Sequence, residues 1–117
     1  MKDSYYFKHD AYARHDPKIQ ALLKKYNMEG YGRWWVIIEM LREANGYKLE
    51  DKQYIWLSLA EQMLCSVEEV KEFVKDCSDY ELLIQADGFF YSMSLLDRMT
   101  KLDDIRHKRS LAGSWER

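Results

Sequence analysis

The sequence predicts a mostly helical α+β domain with one core, and three observations predict it. Helix start and stop signals recur along the chain from Asp16 to Ser94. One Asp87-Gly88 pair stands between two apolar runs, Leu82–Ala86 and Phe89–Met93, the signature of a hairpin turn. At 117 residues the chain is long enough to bury a single sizeable core without disulfides or metals.

The first helix opens at Asp16-Pro17, an N-cap followed by proline at the first helical position, where its missing N–H costs nothing. Ile19, Leu22, Leu23 and Tyr26 then fall at i, i+3, i+4 and i+7 and make one apolar face. This helix is expected to stop near Asn27, before Gly30 and Gly32. A second helix is expected from about Tyr31 to Ala44. Trp34, Trp35, Val36, Ile37, Ile38, Met40 and Leu41 make it apolar almost all round and mark it as the central helix. Asn45-Gly46 is expected to end it in a left-handed cap.

Tyr47-Lys48-Leu49 reads as a short extended stretch, and Asp51 as the opening of a third helix that runs to about Leu64. Its inward residues are expected to include Ile55, Leu59 and Met63. Ser66-Val67-Glu68-Glu69 is a capping box, in which the serine and the glutamate each satisfy a free N–H of the other's turn. It begins a fourth helix with Val70, Phe73, Val74 and Cys77 on one face. The tight connection between the third and fourth helices has helix-turn-helix spacing. After the hairpin a last helix from about Ser94 turns Leu95, Met99 and Leu102 inward, and becomes basic and polar beyond Ile105.

Residues 31–93 therefore read helix, short strand, helix, turn, helix, strand, turn, strand. That is the order of a winged helix, here with an extra N-terminal helix and a C-terminal helix. Residues 1–113 are expected to form this domain and residues 114–117 a tail. The chain shows no internal repeat or low-complexity tract.

Charge is unevenly spread beneath a net value of −2. Residues 1–33 carry a balance of +3, residues 34–97 one of −8, and residues 98–117 again +3. An acidic body with two basic ends is the pattern a function must explain. The fourth helix carries Glu68, Glu69, Glu72 and Asp76 against Lys71 and Lys75. DNA phosphates repel such a surface, so the element that would enter a major groove is unsuited to it. The hairpin tip adds another acid and no Lys or Arg. Nucleic-acid contacts, if made, are expected from the basic ends: Lys101, Arg106, Lys108 and Arg109 with His107 at one, and Lys8, Arg14 and Lys18 with Lys24 and Lys25 at the other. A short basic run is also what any solvated helix C-terminus favours.

The residues argue against catalysis and against a bound cofactor. There is no G-x-S-x-G elbow, P-loop, Rossmann glycine pattern or H-E-x-x-H. Cys65 and Cys77 stand twelve positions apart with no CxxC pair, and His9, His15 and His107 are scattered, so no zinc spacing assembles. The cysteines read as reduced thiols near a core. His9-Asp10 and His15-Asp16 resemble a metal pair only superficially, since Asp16 is already a helix cap. Neither a small-molecule substrate nor a membrane contact is expected. The polar, aromatic start has no apolar h-region, and the cytoplasm is the expected compartment. Four tryptophans and nine tyrosines exceed what a small core needs, so some rings are expected at a contact surface.

Three stretches carry a resemblance. They are Tyr6-Phe7-Lys8-His9-Asp10 with Ala13-Arg14 and Asp16-Pro17-Lys18-Ile19; Met28-Glu29-Gly30-Tyr31-Gly32 followed by Ile37-Ile38-Glu39-Met40-Leu41-Arg42-Glu43; and Lys108-Arg109-Ser110 with Ala112-Gly113. Together they resemble the N-terminal domain of DnaD-like replisome organisers found in phage and prophage of Gram-positive bacteria. The resemblance implies a winged-helix domain of a replication initiation or primosomal protein, with self-association as its chief task. It also implies replication proteins of the helicase-loading machinery as partners, and DNA affinity seated largely in a C-terminal domain. No binding residue is carried over from the family. Family members continue past the alanine-glycine step into a Gly/Lys-rich linker, whereas this chain closes on Ser114-Trp115-Glu116-Arg117, as a fragment or a protein without the partner domain would.

The sequence thus leads to a self-associating scaffold domain of a phage-type DNA replication initiation protein. In that scheme the basic ends of one copy meet the acidic face of another. The alternative is a direct DNA-binding winged helix that contacts phosphates through its basic ends, in replication or transcription.

Overall fold

A computed structural model describes residues 15–115 of the chain. The protein is α+β and mostly helical. Among the described residues it has four helices, a 3-10 turn and a three-stranded antiparallel sheet. The helices are α1 (Pro17–Glu43), α2 (Gln53–Met63), α3 (Val67–Asp79) and α4 (Met93–Trp115). The strands are β1 (Leu49–Glu50), β2 (Ile84–Ala86) and β3 (Phe89–Tyr91).

The first and second helices of the sequence reading are the two arms of α1. The Asp16 carboxylate accepts from the Lys18 backbone N–H at 2.8 Å and caps the first arm, with Pro17 just inside. The arms part at Asn27, whose φ of 59° and ψ of −152° lie outside any helix. The glycines do not make this break. Gly30 lies inside the second arm and is buried, because a Cβ there would come within 2.5 Å of the Tyr26 Cβ. Glycine is needed at that position for close approach rather than for its backbone freedom.

Other boundaries also move for local reasons. The second arm ends with the Ala44 N–H on the carbonyls of Met40 and Leu41, and Asn45-Gly46-Tyr47 forms the 3-10 turn instead of a left-handed helix cap. Tyr47 belongs to that turn with φ 60°, so the strand begins only at Leu49. Asp51 does not cap α2, whose N-cap is Lys52 without a side-chain bond. Asp51 instead accepts the Trp56 indole N–H at 2.8 Å. The capping box is formed as expected: Glu69 N–H donates to Ser66 Oγ, and the Glu69 carboxylate receives the Ser66 backbone N–H, both at 3.1 Å.

The sheet order is β1-β3-β2. Leu49 pairs with Phe90 and Glu50 with Phe89, while Gln85 pairs with Phe90 across the hairpin. Asp87 and Gly88 both have positive φ, 56° and 79°, as a two-residue hairpin turn requires. Leu49 and Phe90 face the core, and Phe90 stacks on Trp56 with ring centroids 5.1 Å apart. This stack fastens the sheet to α2 and adds about 0.5–1.5 kcal/mol beyond area burial.

The core is drawn from all four helices, from Leu49 of β1 and Phe90 of β3, and from Leu83 just before β2. Ile19 and Leu22 come from the first arm of α1, and Trp34, Ile37, Ile38 and Leu41 from the second. Trp56 and Leu59 of α2, all of Val70, Phe73, Val74 and Cys77 of α3, and Leu95, Met99 and Leu102 of α4 complete it. Fully burying each large side chain among these stabilises the fold by about 1.5–3 kcal/mol. The second arm is central, yet Gly32, Glu39 and Glu43 face solvent, so it is not buried all round. No described helix is long and apolar enough to cross a membrane.

Candidate interaction surface

The acidic helix does not present a free acidic face. Lys25 Nζ, from the first arm of α1, lies 2.7 Å from the Asp76 carboxylate and 3.9 Å from that of Glu72. The neighbouring Tyr26 hydroxyl donates to Asp76 as well. Arg33, from the second arm, reaches Glu69 at 3.6 Å. Thus three of the four acids singled out in the sequence, Glu69, Glu72 and Asp76, face cations of the same chain. Glu68 is exposed in the first turn of α3, where the helix dipole favours an acid.

These contacts set the protonation of the cluster. Burial alone would raise the Asp76 carboxyl, but hydrogen bonds from Lys25 and Tyr26 outweigh it and hold the group below its ordinary 3.8. Burial, and then the Asp76 hydrogen bond, push the Tyr26 hydroxyl well above its usual range. The Ser66 backbone N–H holds Glu69 below its ordinary 4.5. Each shift favours the ion pair as drawn, with acids charged and Tyr26 protonated.

The C-terminal cations are likewise interleaved with acids on their own helix. Lys101 pairs with Asp97 at 3.1 Å, Arg106 with Asp103 at 3.4 Å, and Lys108 with Asp104 at 3.4 Å. All three pairs are largely exposed and contribute little to stability, but each places a carboxylate beside a phosphate-seeking cation. Asp103 also accepts the Tyr47 hydroxyl at 2.5 Å, tying α4 to the 3-10 turn. Arg109 is exposed. At the other end Lys18 is exposed in the first turn of α1, while Lys8 and Arg14 lie outside the described residues.

The feature missed in the sequence is apolar. Tyr54, Leu57 and Leu64 are exposed, and with Glu61 they fall at i, i+3, i+7 and i+10 on the outward face of α2. Leu64 is 92% exposed and closes α2 in the left-handed conformation, φ 56°. Beside it lies a groove of about 280 Å³ lined by Glu29, Gly32, Arg33, Val36, Gln62 and Met63. Met28, at the start of the second arm of α1, is also exposed. The spacing of this outward stripe is legible in the sequence, opposite the inward face of the same helix.

Among the described residues no three His, Cys, Asp or Glu side chains come together as a metal ion would need. Cys65 and Cys77 are free thiols, and burial pushes both up out of the reactive range.

Residues 6–95, well over half of the chain, match the model of the family described as Lin1244/Lin1753-like, N-terminal. No curated protein and no solved structure matches the chain.

Proposed function

The chain belongs to the Lin1244/Lin1753-like N-terminal family, and from that premise we propose that it is a self-associating scaffold domain of a phage-type DNA replication initiation protein, built as a winged helix. The element order supports the winged-helix reading. The second arm of α1, β1, α2, α3 and the β2–β3 hairpin follow one another, with β1 joined to the hairpin through β3. Resemblance to DnaD-like replisome organisers supports the replication context and the expectation of helicase-loading partners.

The observation that carries the reading is the state of α3. In a winged helix this element would enter the major groove. Here it bears Glu68, Glu69, Glu72 and Asp76, and Lys25 and Arg33 of α1 turn onto the last three of these acids. Lys71 and Lys75 are the counter-charge this helix itself can offer phosphates, and its acids outnumber them. A fold alone does not confer DNA reading, and this surface argues for protein contacts instead. The alternative, DNA held on the basic ends, draws on Lys101, Arg106 and Lys108, each of which already has a carboxylate at hand.

The test is an anisotropy titration of labelled single- and double-stranded DNA at low and near-physiological salt, run beside sedimentation of the same protein. The scaffold reading expects self-association, with DNA bound no tighter than about 10 µM near physiological salt. Tight binding that falls steeply with salt, and vanishes when Lys101, Arg106, Lys108 and Arg109 are reversed to Glu, would establish the alternative.

A further inference from the structure

The two arms of α1 meet at a single residue. Between Pro17 and Glu43 only Asn27 departs from helical backbone. Returning its φ and ψ to helical values would merge the arms into one helix of 27 residues, about 40 Å long. The backbone that keeps them apart, φ 59° and ψ −152°, is one that glycine adopts and residues with a Cβ almost never do. The chain has glycine at 30 and 32, yet not here. Asn27 is exposed, so packing over its own side chain does not hold it in this conformation.

Gly30 marks the same junction. A Cβ there would sit 2.5 Å from the Tyr26 Cβ in the bent chain. On a continuous helix residues four apart keep these atoms about 5–6 Å apart. The bend therefore needs glycine at 30, and a straight α1 does not. What holds the bend is the seat of the first arm. Ile19 and Leu22 lie in the core, the Tyr26 ring meets Phe73, and Lys25 and Tyr26 both engage Asp76. A second copy of the chain carries the same seat and the same arm, so the monomer itself shows which partner fits.

Resting on the self-association reading, we propose that two copies of this chain exchange their first arms. In each, α1 straightens at Asn27, and residues 17–26 of one copy occupy the seat on α3 and the core of the other. The contacts of the arm are kept, with Lys25 and Tyr26 of one copy clamping Asp76 of its partner. Both Asn27 backbones return to helical values, which offsets the freedom lost when two molecules become one. Exchange of an identical element through a hinge is a low-cost route to a dimer.

Substitutions at the exposed hinge in the full chain test this. Asn27→Gly accepts the bend and disfavours a helix, and should weaken dimerisation by about tenfold or more in sedimentation equilibrium. Asn27→Ala does the reverse and should strengthen it by a similar factor. A second experiment reads the exchange itself. Lys25→Glu and Asp76→Lys each place like charges in the clamp of their own chain. Mixed, they restore two opposite-charge clamps only if the arms are exchanged, so the mixture should be more helical by circular dichroism and more dimeric than either variant alone. Self-association overturns the exchange, and leaves the scaffold reading in place, if the two Asn27 variants do not move it in opposite directions or if the mixture gains nothing over its components. A wild-type chain that stays monomeric at high concentration overturns both.

Discussion

Lys25 Nζ stands 2.7 Å from the Asp76 carboxylate, fifty-one residues away in the chain, and the adjacent Tyr26 hydroxyl donates to the same group. Two consecutive residues at the end of one helical arm thus clamp a single acid of α3. The chain breaks at the next residue, Asn27, and sets off along the second arm. The Tyr26 ring meets Phe73 edge-on at 5.1 Å, so the clamp rests on the core. The acid that seemed to belong to an outward face is a fastening between α1 and α3.

Replacing Asp76 by Ala should therefore destabilise the fold by about 1–3 kcal/mol, since it leaves the Tyr26 hydroxyl without its acceptor in a partly buried site. Glu68→Ala, exposed on the same helix, should change stability by no more than about 0.5 kcal/mol. Urea unfolding of the two variants checks the contrast. Equal costs would mean that Asp76 is no more structural than its neighbour.

The same cluster sets a pH dependence. Asp76 and Glu69 are both held below their ordinary values of 3.8 and 4.5 in the folded chain. A carboxyl lowered on folding contributes stability that is fully present above its unfolded value and is lost as pH falls through the folded one. Stability should hold down to the ordinary carboxyl range and decline below it. The decline should be shallower in Asp76→Asn, which has less to lose. Denaturation midpoints across the acid range measure this, and an identical slope in the variant would remove Asp76 from the account.

The two glycines of the second arm should respond in opposite directions. An added Cβ at Gly30 would sit 2.5 Å from the Tyr26 Cβ and 3.3 Å from the Leu22 carbonyl oxygen. Gly30→Ala should cost about 1–3 kcal/mol by forcing the arms apart. At Gly32 a Cβ meets nothing, and Gly32→Ala should gain about 0.5–1 kcal/mol of helix propensity. Thermal unfolding of both variants decides it, and the same sign for both would contradict the packing of the two arms.

That contrast also shows how far the sequence was legible. Period and caps are local, so Asp16-Pro17, the Ser66–Glu69 box, the Asp87-Gly88 turn and the inward faces of α3 and α4 could all be read in advance. The break in α1 could be located near Asn27, but the close approach of the two arms at Gly30 could not, because it depends on how the arms pack. Asp51 read as a cap because its type favours caps, yet the indole of Trp56 competes for it and wins. The acids of α3 read as a free face because counting charge along a chain does not show that Lys25 and Arg33 fold over onto them. The pairing of these acids with cations of α1 was therefore not visible along the chain.

Trp56 joins these threads, buried between Asp51 and Phe90. Trp56→Phe keeps a ring for Phe90 to stack on but loses the indole donor, and should cost about 1–2 kcal/mol. Trp56→Ala removes both and should cost about 3–5 kcal/mol. Chemical denaturation that ranks the two together would show that the stack contributes little to holding the sheet on α2.

Salt separates the two ways in which copies of this chain could meet. Contact between basic ends and an acidic face would be an exchange of exposed charges, screened within about 10 Å at 0.1 M salt. Its association constant should fall many-fold as salt rises. The acids of α3 are already engaged by Lys25 and Arg33, and the cations of α4 lie beside Asp97, Asp103 and Asp104. Little attraction is then left for a second copy. A contact made through exposed apolar side chains, such as Tyr54, Leu57 and Leu64 of the α2 region, would bury apolar surface instead. Sedimentation between about 0.05 and 0.5 M sodium chloride should accordingly change the association constant by less than about threefold. Association that collapses over this range would return the exposed charges to the interface.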